Sequence, residues 1–120
     1  MKALIVDDSP ALRLLLRQIL INLGHEFIEA INGQLALEQC KLHQFDVIFM
    51  DIEMPVMNGV DASRQIRETL QISSETTPII ALTAYEYDIF KEKYPETFFD
   101  SVLTKPYSLE KIKETLQGLC

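Results

Sequence analysis

Five side chains, at four places along the 120-residue chain, have the types and surroundings to act together chemically. Asp7 and Asp8 follow the apolar run Ala3-Leu4-Ile5-Val6. Asp51 follows Val47-Ile48-Phe49-Met50, and the chain turns at once through Ile52-Glu53-Met54-Pro55. Thr83 follows Pro78-Ile79-Ile80-Ala81-Leu82, and Lys105 comes just after Ser101-Val102-Leu103. A continuous apolar run bounded by turn signals marks a strand buried on both faces, as in a parallel sheet. Each reactive group thus stands at the carboxyl end of a strand. All these ends share one edge, and neighbouring strands lie about 4.8 Å apart, so the side chains can meet. Three carboxylates in one pocket repel, and at least one is driven to hold a proton. A hard divalent cation resolves that conflict. Mg²⁺ binds through one or two carboxylates, keeps several waters and leaves room for phosphate oxygens. Lys105 adds a point charge for an anion, and Thr83 a hydroxyl donor. The chemistry this set suits is phosphoryl transfer to a carboxylate, with Asp51 as nucleophile forming an aspartyl phosphate. Catalysis would then be positioning and charge neutralisation. Singly, Asp51 and Thr83 would read as turn residues, Lys105 as a solvated charge, and Asp8 as favouring a helix start. Their joint placement lifts the functional reading.

The elements that must position these groups alternate along the chain. A strand from Lys2 to Asp7 leads to Ser9, an N-cap, and Pro10, suited to the first helical position. That helix runs to about Leu23, with Leu12, Leu15, Leu16, Ile19 and Leu23 on one stripe and Gly24 closing it. Glu26 to Ala30 alternates and reads as an edge strand, and Asn32-Gly33 as a turn. A short helix from Gln34 to about His43 offers Leu35, Leu37 and Cys40 for packing. After the Phe45–Met50 strand and the Ile52–Asn58 loop, a helix from about Val60 to Leu70 packs Val60, Ile66 and Leu70. The Pro78–Leu82 strand tolerates Pro at its first position. Asp88 to about Tyr94 forms a short helix that Pro95 ends. The Ser101–Leu103 strand and a Ser108-capped helix to about Leu119 complete the chain. Strand and helix alternate five times, which is an α/β, doubly wound domain with a five-stranded parallel sheet, helices on both faces and order 2-1-3-4-5. One domain is expected over residues 1–120.

Composition narrows the function. With 18 acidic and 11 basic residues the net charge is −7, which disfavours direct nucleic-acid binding. No run approaches the ~18 apolar residues of a membrane span. Asp7 interrupts the region where a signal peptide would still be apolar, so a cytoplasmic location is expected. Cys40 and Cys120 fit no metal or disulfide spacing; Cys40 reads as inert packing. His25 and His43 lie away from the strand ends and read as surface or turn residues. For Tyr87 and Tyr94, packing is the expectation.

Taken together, these segments resemble the receiver domain of two-component response regulators over the whole chain. Asp7-Asp8 is similar to the family's acidic pair, and Met50 to Gly59 to its phosphoacceptor motif, in the variant common in hybrid sensor kinases. Ile80-Ala81-Leu82-Thr83-Ala84 is similar to its Ser/Thr motif and Leu103-Thr104-Lys105-Pro106 to its Lys-Pro motif. The resemblance implies a flavodoxin-like (βα)5 fold and a phosphorelay function. Asp51 would accept a phosphoryl group from a phosphohistidine on a sensor histidine kinase or histidine phosphotransfer protein. Asp8 and Asp51 would bind Mg²⁺ directly, Asp7 mainly through water, and Glu53 through its backbone carbonyl. Thr83, Lys105 and the Ala84 backbone N–H would contact the phosphoryl oxygens. The Lys105–Pro106 bond would be cis. Glu53 and Tyr85 occupy positions that tune dephosphorylation. The domain would be no turnover enzyme, and a monomer or a weak phosphorylation-dependent dimer.

The chain departs from this pattern around its fourth helix. Tyr94-Pro95 interrupts that helix, and Phe98-Phe99 occupies the following turn. Val102 stands three residues before Lys105, where the family usually has an aromatic switch residue; a β-branched side chain has few rotamers and cannot swing a ring. Phosphorylation is therefore expected to move the Thr83 loop, and with it the face formed by the fourth helix, fifth strand and fifth helix, without a swing at position 102. Two alternatives compete. One is a receiver-like scaffold that binds partners without phosphorylation, which degenerate motif residues would favour. The other is a haloacid dehalogenase-like phosphatase, which places its nucleophile on an early strand with an acid, normally Asp, two residues on. Here Asp51 is on the third strand and Glu53 fills that place.

Overall fold

The apolar runs form five parallel strands that alternate with five helices. These are β1 (Lys2–Val6), α1 (Pro10–Asn22), β2 (Glu26–Ala30), α2 (Gly33–Leu42), β3 (Val47–Asp51), α3 (Gly59–Glu68), β4 (Ile79–Thr83), α4 (Tyr87–Lys93), β5 (Ser101–Thr104) and α5 (Leu109–Gln117). The computed structural model describes residues 1–94 and 98–118; Pro95, Leu119 and Cys120 lie outside the described residues. Strand order is β2-β1-β3-β4-β5, so the side on which successive parallel strands are added reverses between β1 and β3. The helices divide accordingly. Leu16, Ile19 and Leu20 of α1 and Ile112 and Leu116 of α5 pack on Ala3, Ile5, Phe49, Ile80 and Leu82. Ala36, Leu37 and Cys40 of α2 and Ala62 and Ile66 of α3 pack on Leu4, Val6, Ile48, Met50 and Ile79. Alternate residues of one strand thus feed opposite cores, which is why β1, β3 and β4 read as unbroken apolar runs.

Local chemistry sets the helix ends. Ser9, Asn32, Asn58 and Ser108 each cap a helix by accepting a backbone N–H. Gly24 takes φ 82° just after α1, a left-handed conformation open to glycine. Several sequence expectations shift. Asn32-Gly33 is no separate turn, because Asn32 caps α2 and Gly33 begins it. Leu15 and Leu35 are exposed, and Leu20 and Ala36 take the buried places. The buried stripe of each helix is thus narrower than its apolar one. α3 ends at Glu68 rather than Leu70, and the expected end of the last helix, Leu119, lies outside the described residues. Tyr87 is 51% exposed rather than packed; it opens α4 and carries the Lys91 ammonium over its ring at 5.2 Å. Tyr94 does pack, tilted against Phe90 with centroids 5.3 Å apart.

One tie was not legible in the sequence. Arg67, in the last turn of α3, donates to the carbonyls of Ile72 and Thr77, both at 2.9 Å. It also pairs with Asp100 at 2.8 Å. The same Asp100 oxygen accepts the Ile79 N–H at 2.8 Å. This half-buried guanidinium therefore fastens the α3–β4 loop and the entries to β4 and β5. Replacing Arg67 with Met leaves two carbonyls and a carboxylate short of a donor. It is expected to lower unfolding free energy by about 2 kcal/mol or more, read as a fall in urea midpoint with the slope unchanged.

Candidate functional site

Sheet register brings the strand ends together. Val6 pairs with Met50, Asp51 with Leu82, and Thr83 with Thr104. The residues that follow or close these strands converge beside the reversal between β1 and β3, where open α/β sheets bind ligands. Asp7, Asp8, Asp51, Glu53, Thr83, Ala84 and Lys105, the set proposed from the sequence, all line one cleft of about 370 Å³. A larger cleft of about 710 Å³, lined by Cys40, Phe45, Ile72 and Thr77 among others, lies at the amino ends of the strands. Among the described residues, only Asp7, Asp8 and Asp51 bring three metal-capable side chains together, each offering an oxygen within 4.8 Å of the others. The donor set is all carboxylate, which suits a hard cation.

Charge is crowded here. Asp7 and Asp51 are 1% and 5% exposed. One Asp7 oxygen accepts the Ser9 N–H at 2.9 Å. The other has no hydrogen-bond donor; Lys105 Nζ lies 3.4 Å from it, close enough for attraction but not aligned to donate. Lys105 Nζ donates instead to Asp51 Oδ1 at 3.1 Å. One ammonium thus serves two buried carboxylates. The Asp51 carboxyl is pushed up to about 6, first by burial and then by Asp7, with Lys105 pulling it partly back. Asp8 is exposed and opens toward solvent.

Thr83 is 4% exposed. Its Oγ1 accepts the Tyr85 N–H at 3.1 Å, which leaves its own proton free to donate into the cleft. Lys105 is held by its backbone N–H, which donates to the Thr83 carbonyl at 2.7 Å. The Lys105–Pro106 bond is cis, as the resemblance implies. Cys40 is buried away from the cleft, and burial lifts its thiol to about 11, which agrees with inert packing. His25 and His43 lie outside the cleft; their Nδ1 atoms face the terminal amine and Lys2 Nζ.

Three contributors escaped the sequence reading. Gly59 begins α3 against the back of the acceptor strand. A Cβ there would collide with the Asp51 carbonyl oxygen and lie 2.9 Å from Ile52 Cα. Its N–H donates to the Ile52 carbonyl at 2.8 Å, so this glycine is needed for room rather than for φ. Arg13 donates to the Asp7 carbonyl at 2.8 Å and so steadies the acidic pair from α1. Tyr107 is buried, its hydroxyl has no partner, and burial followed by Asp7 and Asp51 raises the phenol well above its usual range. In the sequence the Asn58-Gly59 pair reads only as the end of the loop before this helix. Nothing local showed that Gly59 would back onto Asp51.

Val102 is half-buried beneath α4. It packs with Tyr85, Tyr94 and Phe99 on a cluster of Ile52, Ala81 and Phe90. The large buried ring of this region comes from α4, as Phe90, 1% exposed.

The raised Asp51 carboxyl has a definite sign in stability. The folded chain holds this proton up to about pH 6, whereas an unfolded aspartate releases it near 3.8. Between these values the native state binds more protons, so this group makes stability fall as pH rises, with a plateau above. Carbon-13 titration of the carboxyls in chelator-treated buffer is expected to find Asp51 near 6. Removing the downward pull of Lys105, as Lys105→Met, moves that midpoint higher.

Comparison with known proteins agrees with this geometry. A family model described as the response regulator receiver domain matches residues 3–117. Among curated relatives, the autoinducer 1 sensor kinase/phosphatase LuxN of Vibrio campbellii is 38% identical over 94% of this chain, which covers 13% of that protein. The sensor protein GacS of Pseudomonas syringae is 32% identical over 96% of this chain and 13% of its own length. The chain thus spans about 13% of the length of these relatives. Among solved structures, the chemotaxis protein CheY4 of Vibrio cholerae is 33% identical with a TM-score of 0.88, covering 99% of this chain and 98% of that one. The receiver domain of a Pseudomonas aeruginosa sensor histidine kinase, solved with magnesium coordinated in its active site cleft, is 28% identical with a TM-score of 0.86, covering 98% and 95%. With its strands in the order β2-β1-β3-β4-β5 and this cleft at their carboxyl ends, the chain belongs to the response regulator receiver domain family.

Proposed function

We propose that the chain is a phosphoacceptor domain in which Asp51 takes a phosphoryl group from a phosphohistidine on a sensor kinase or phosphotransfer partner. The observation that carries this is the crowding of Asp7, Asp8 and Asp51, with one ammonium paired to both Asp7 and Asp51. Mg²⁺ fits that all-carboxylate set; Asp8 and Asp51 would hold it directly, Asp7 mainly through water, and the Glu53 carbonyl would complete the protein's share. Bound there, the cation would neutralise the acidic cluster and the incoming phosphoryl charge. The acceptor oxygen of Asp51 forms a P–O bond as the P–N bond to the partner's imidazole breaks, and the imidazole leaves to take up a proton. Lys105 and Thr83 meet the phosphoryl oxygens, and the Ala84 N–H adds a third donor. These groups sit on strand ends fixed by backbone pairing, so their contribution is positioning.

The signal then leaves through the β4–α4 loop. Thr83 holds the Tyr85 N–H, so a phosphoryl group that draws in the Thr83 hydroxyl also draws on Tyr85. No ring at position 102 takes part. The chain works in the cytoplasm as a single domain, and does no turnover chemistry beyond gaining and losing this group. The scaffold alternative finds no support in the site, because each of the motif side chains is present and lines the cleft.

Incubation with acetyl phosphate and Mg²⁺, read by intact-protein mass, tests the proposal. One phosphoryl adduct is expected, labile to hydroxylamine, absent with a chelator and absent in Asp51→Asn. An adduct that persists in Asp51→Asn would move the acceptor elsewhere. No adduct on a folded chain, from acetyl phosphate or a phosphohistidine donor, would favour a scaffold.

A further inference from the structure

The end of α4 reaches back to the mouth of the acceptor cleft. Lys93, its last residue, donates from Nζ to Tyr85 Oη at 2.7 Å, and the ammonium lies 4.7 Å from the Tyr85 ring centroid. The next residue, Tyr94, donates its hydroxyl to Glu53 Oε1 at 3.5 Å. Glu53 and Tyr85 line the cleft from its two sides, one on the β3–α3 loop and the other on the β4–α4 loop. Lys93 and Tyr94 do not line it. They are adjacent, and each holds one side.

Their anchor is firm. Phe90, one turn earlier, is buried against Ile52 and Ala81. It packs on Tyr94 at 5.3 Å and on Phe99 at 5.9 Å between centroids. The Tyr94 N–H donates to the Phe90 carbonyl at 2.9 Å. Tyr85 is fixed at its backbone as well, with its N–H on Thr83 Oγ1 and its carbonyl accepting from Thr104 Oγ1 at 3.3 Å. The two side chains at the rim are therefore held from an element that Phe90 anchors in the core.

We propose that Lys93 and Tyr94 are positioning residues that pin Tyr85 and Glu53 across the cleft mouth and so set how fast water removes the phosphoryl group. This rests on Asp51 being the acceptor. In that hydrolysis a water oxygen bonds to phosphorus as the P–O bond to Asp51 breaks. The carboxylate is restored, inorganic phosphate leaves, and the water's proton passes to solvent. The water must approach opposite the breaking bond, which is from the mouth that Glu53 and Tyr85 flank. Freeing either side chain opens that approach. The chain thereby makes the lifetime of its phosphorylated state depend on the position of α4, and a partner that displaces the end of α4 would shorten it.

The test follows adduct decay after removal of acetyl phosphate, with Mg²⁺ kept. Lys93→Met and Tyr94→Phe are each expected to lose the adduct about two- to fivefold faster, the size of a surface cation–π contact or hydrogen bond read as a rate. Lys93→Arg keeps a donor and a cation over the ring and should decay like the unaltered chain. The initial rate of adduct formation and the urea midpoint stay unchanged in all three, because neither residue lines the cleft and Tyr94→Phe keeps the ring that packs on Phe90. Equal decay in Lys93→Met, Tyr94→Phe and the unaltered chain overturns the clamp and leaves the acceptor role standing. Decay as fast in Lys93→Arg as in Lys93→Met also overturns it. An unaltered chain that takes no adduct overturns the acceptor reading and the clamp with it.

Discussion

Two buried carboxylates share one ammonium, and the rest of the structure answers to that constraint. Asp7 and Asp51 are nearly sealed from water, and Lys105 reaches both at 3.4 and 3.1 Å. The attraction does not balance the burial, because the Asp51 carboxyl still sits near 6. A fold left to optimise stability alone would replace such a cluster with apolar groups. Its retention at the carboxyl edge of a parallel sheet makes sense as a site built for added positive charge and for a group that brings its own negative charge.

Holding such a cluster requires a frame that cannot relax. Parallel pairing fixes β1 beside β3, β3 beside β4 and β4 beside β5, so the acidic pair, the acceptor, the hydroxyl and the ammonium cannot drift apart. Apolar residues below each strand end seal both faces of the sheet. Gly59 lets α3 start directly against the acceptor strand, and Arg13 steadies the Asp7 backbone from the opposite side. The loops above are tied more lightly. Tyr85 and Glu53 are held through the side chains of Lys93 and Tyr94 at the end of α4, whose exposed bonds break more readily than backbone pairing. The division suits a switch, with rigid chemistry below and a movable rim above.

The fold and the residues that line the candidate site were legible because both follow from local pattern. Unbroken apolar runs gave parallel strands, and the residue after each run gave the site, since strand ends in such a sheet share an edge. What escaped depends on contacts distant in sequence. Leu15 and Leu35 read as core residues, but which part of an apolar stripe the sheet covers is decided by contacts with other elements. Arg67 carries no local signal, and its three partners come from the α3–β4 loop and from Asp100 ahead of β5. Lys93 and Tyr94 carried no motif. Their meaning lies in where α4 ends relative to two loops, which no window of sequence contains.

The central claim is that the acidic cluster costs the unliganded fold stability and that a divalent cation restores it. Thermal unfolding of the chain and of Asp51→Asn at neutral pH, with Mg²⁺ raised from none, tests it most directly. Without metal, Asp51→Asn should melt higher, because it removes a buried charge held beside Asp7. Mg²⁺ should raise the melting temperature of the unaltered chain by mass action, raise the variant less, and narrow or reverse the gap. A variant that melts lower without metal, or an equal rise in both, would contradict the account.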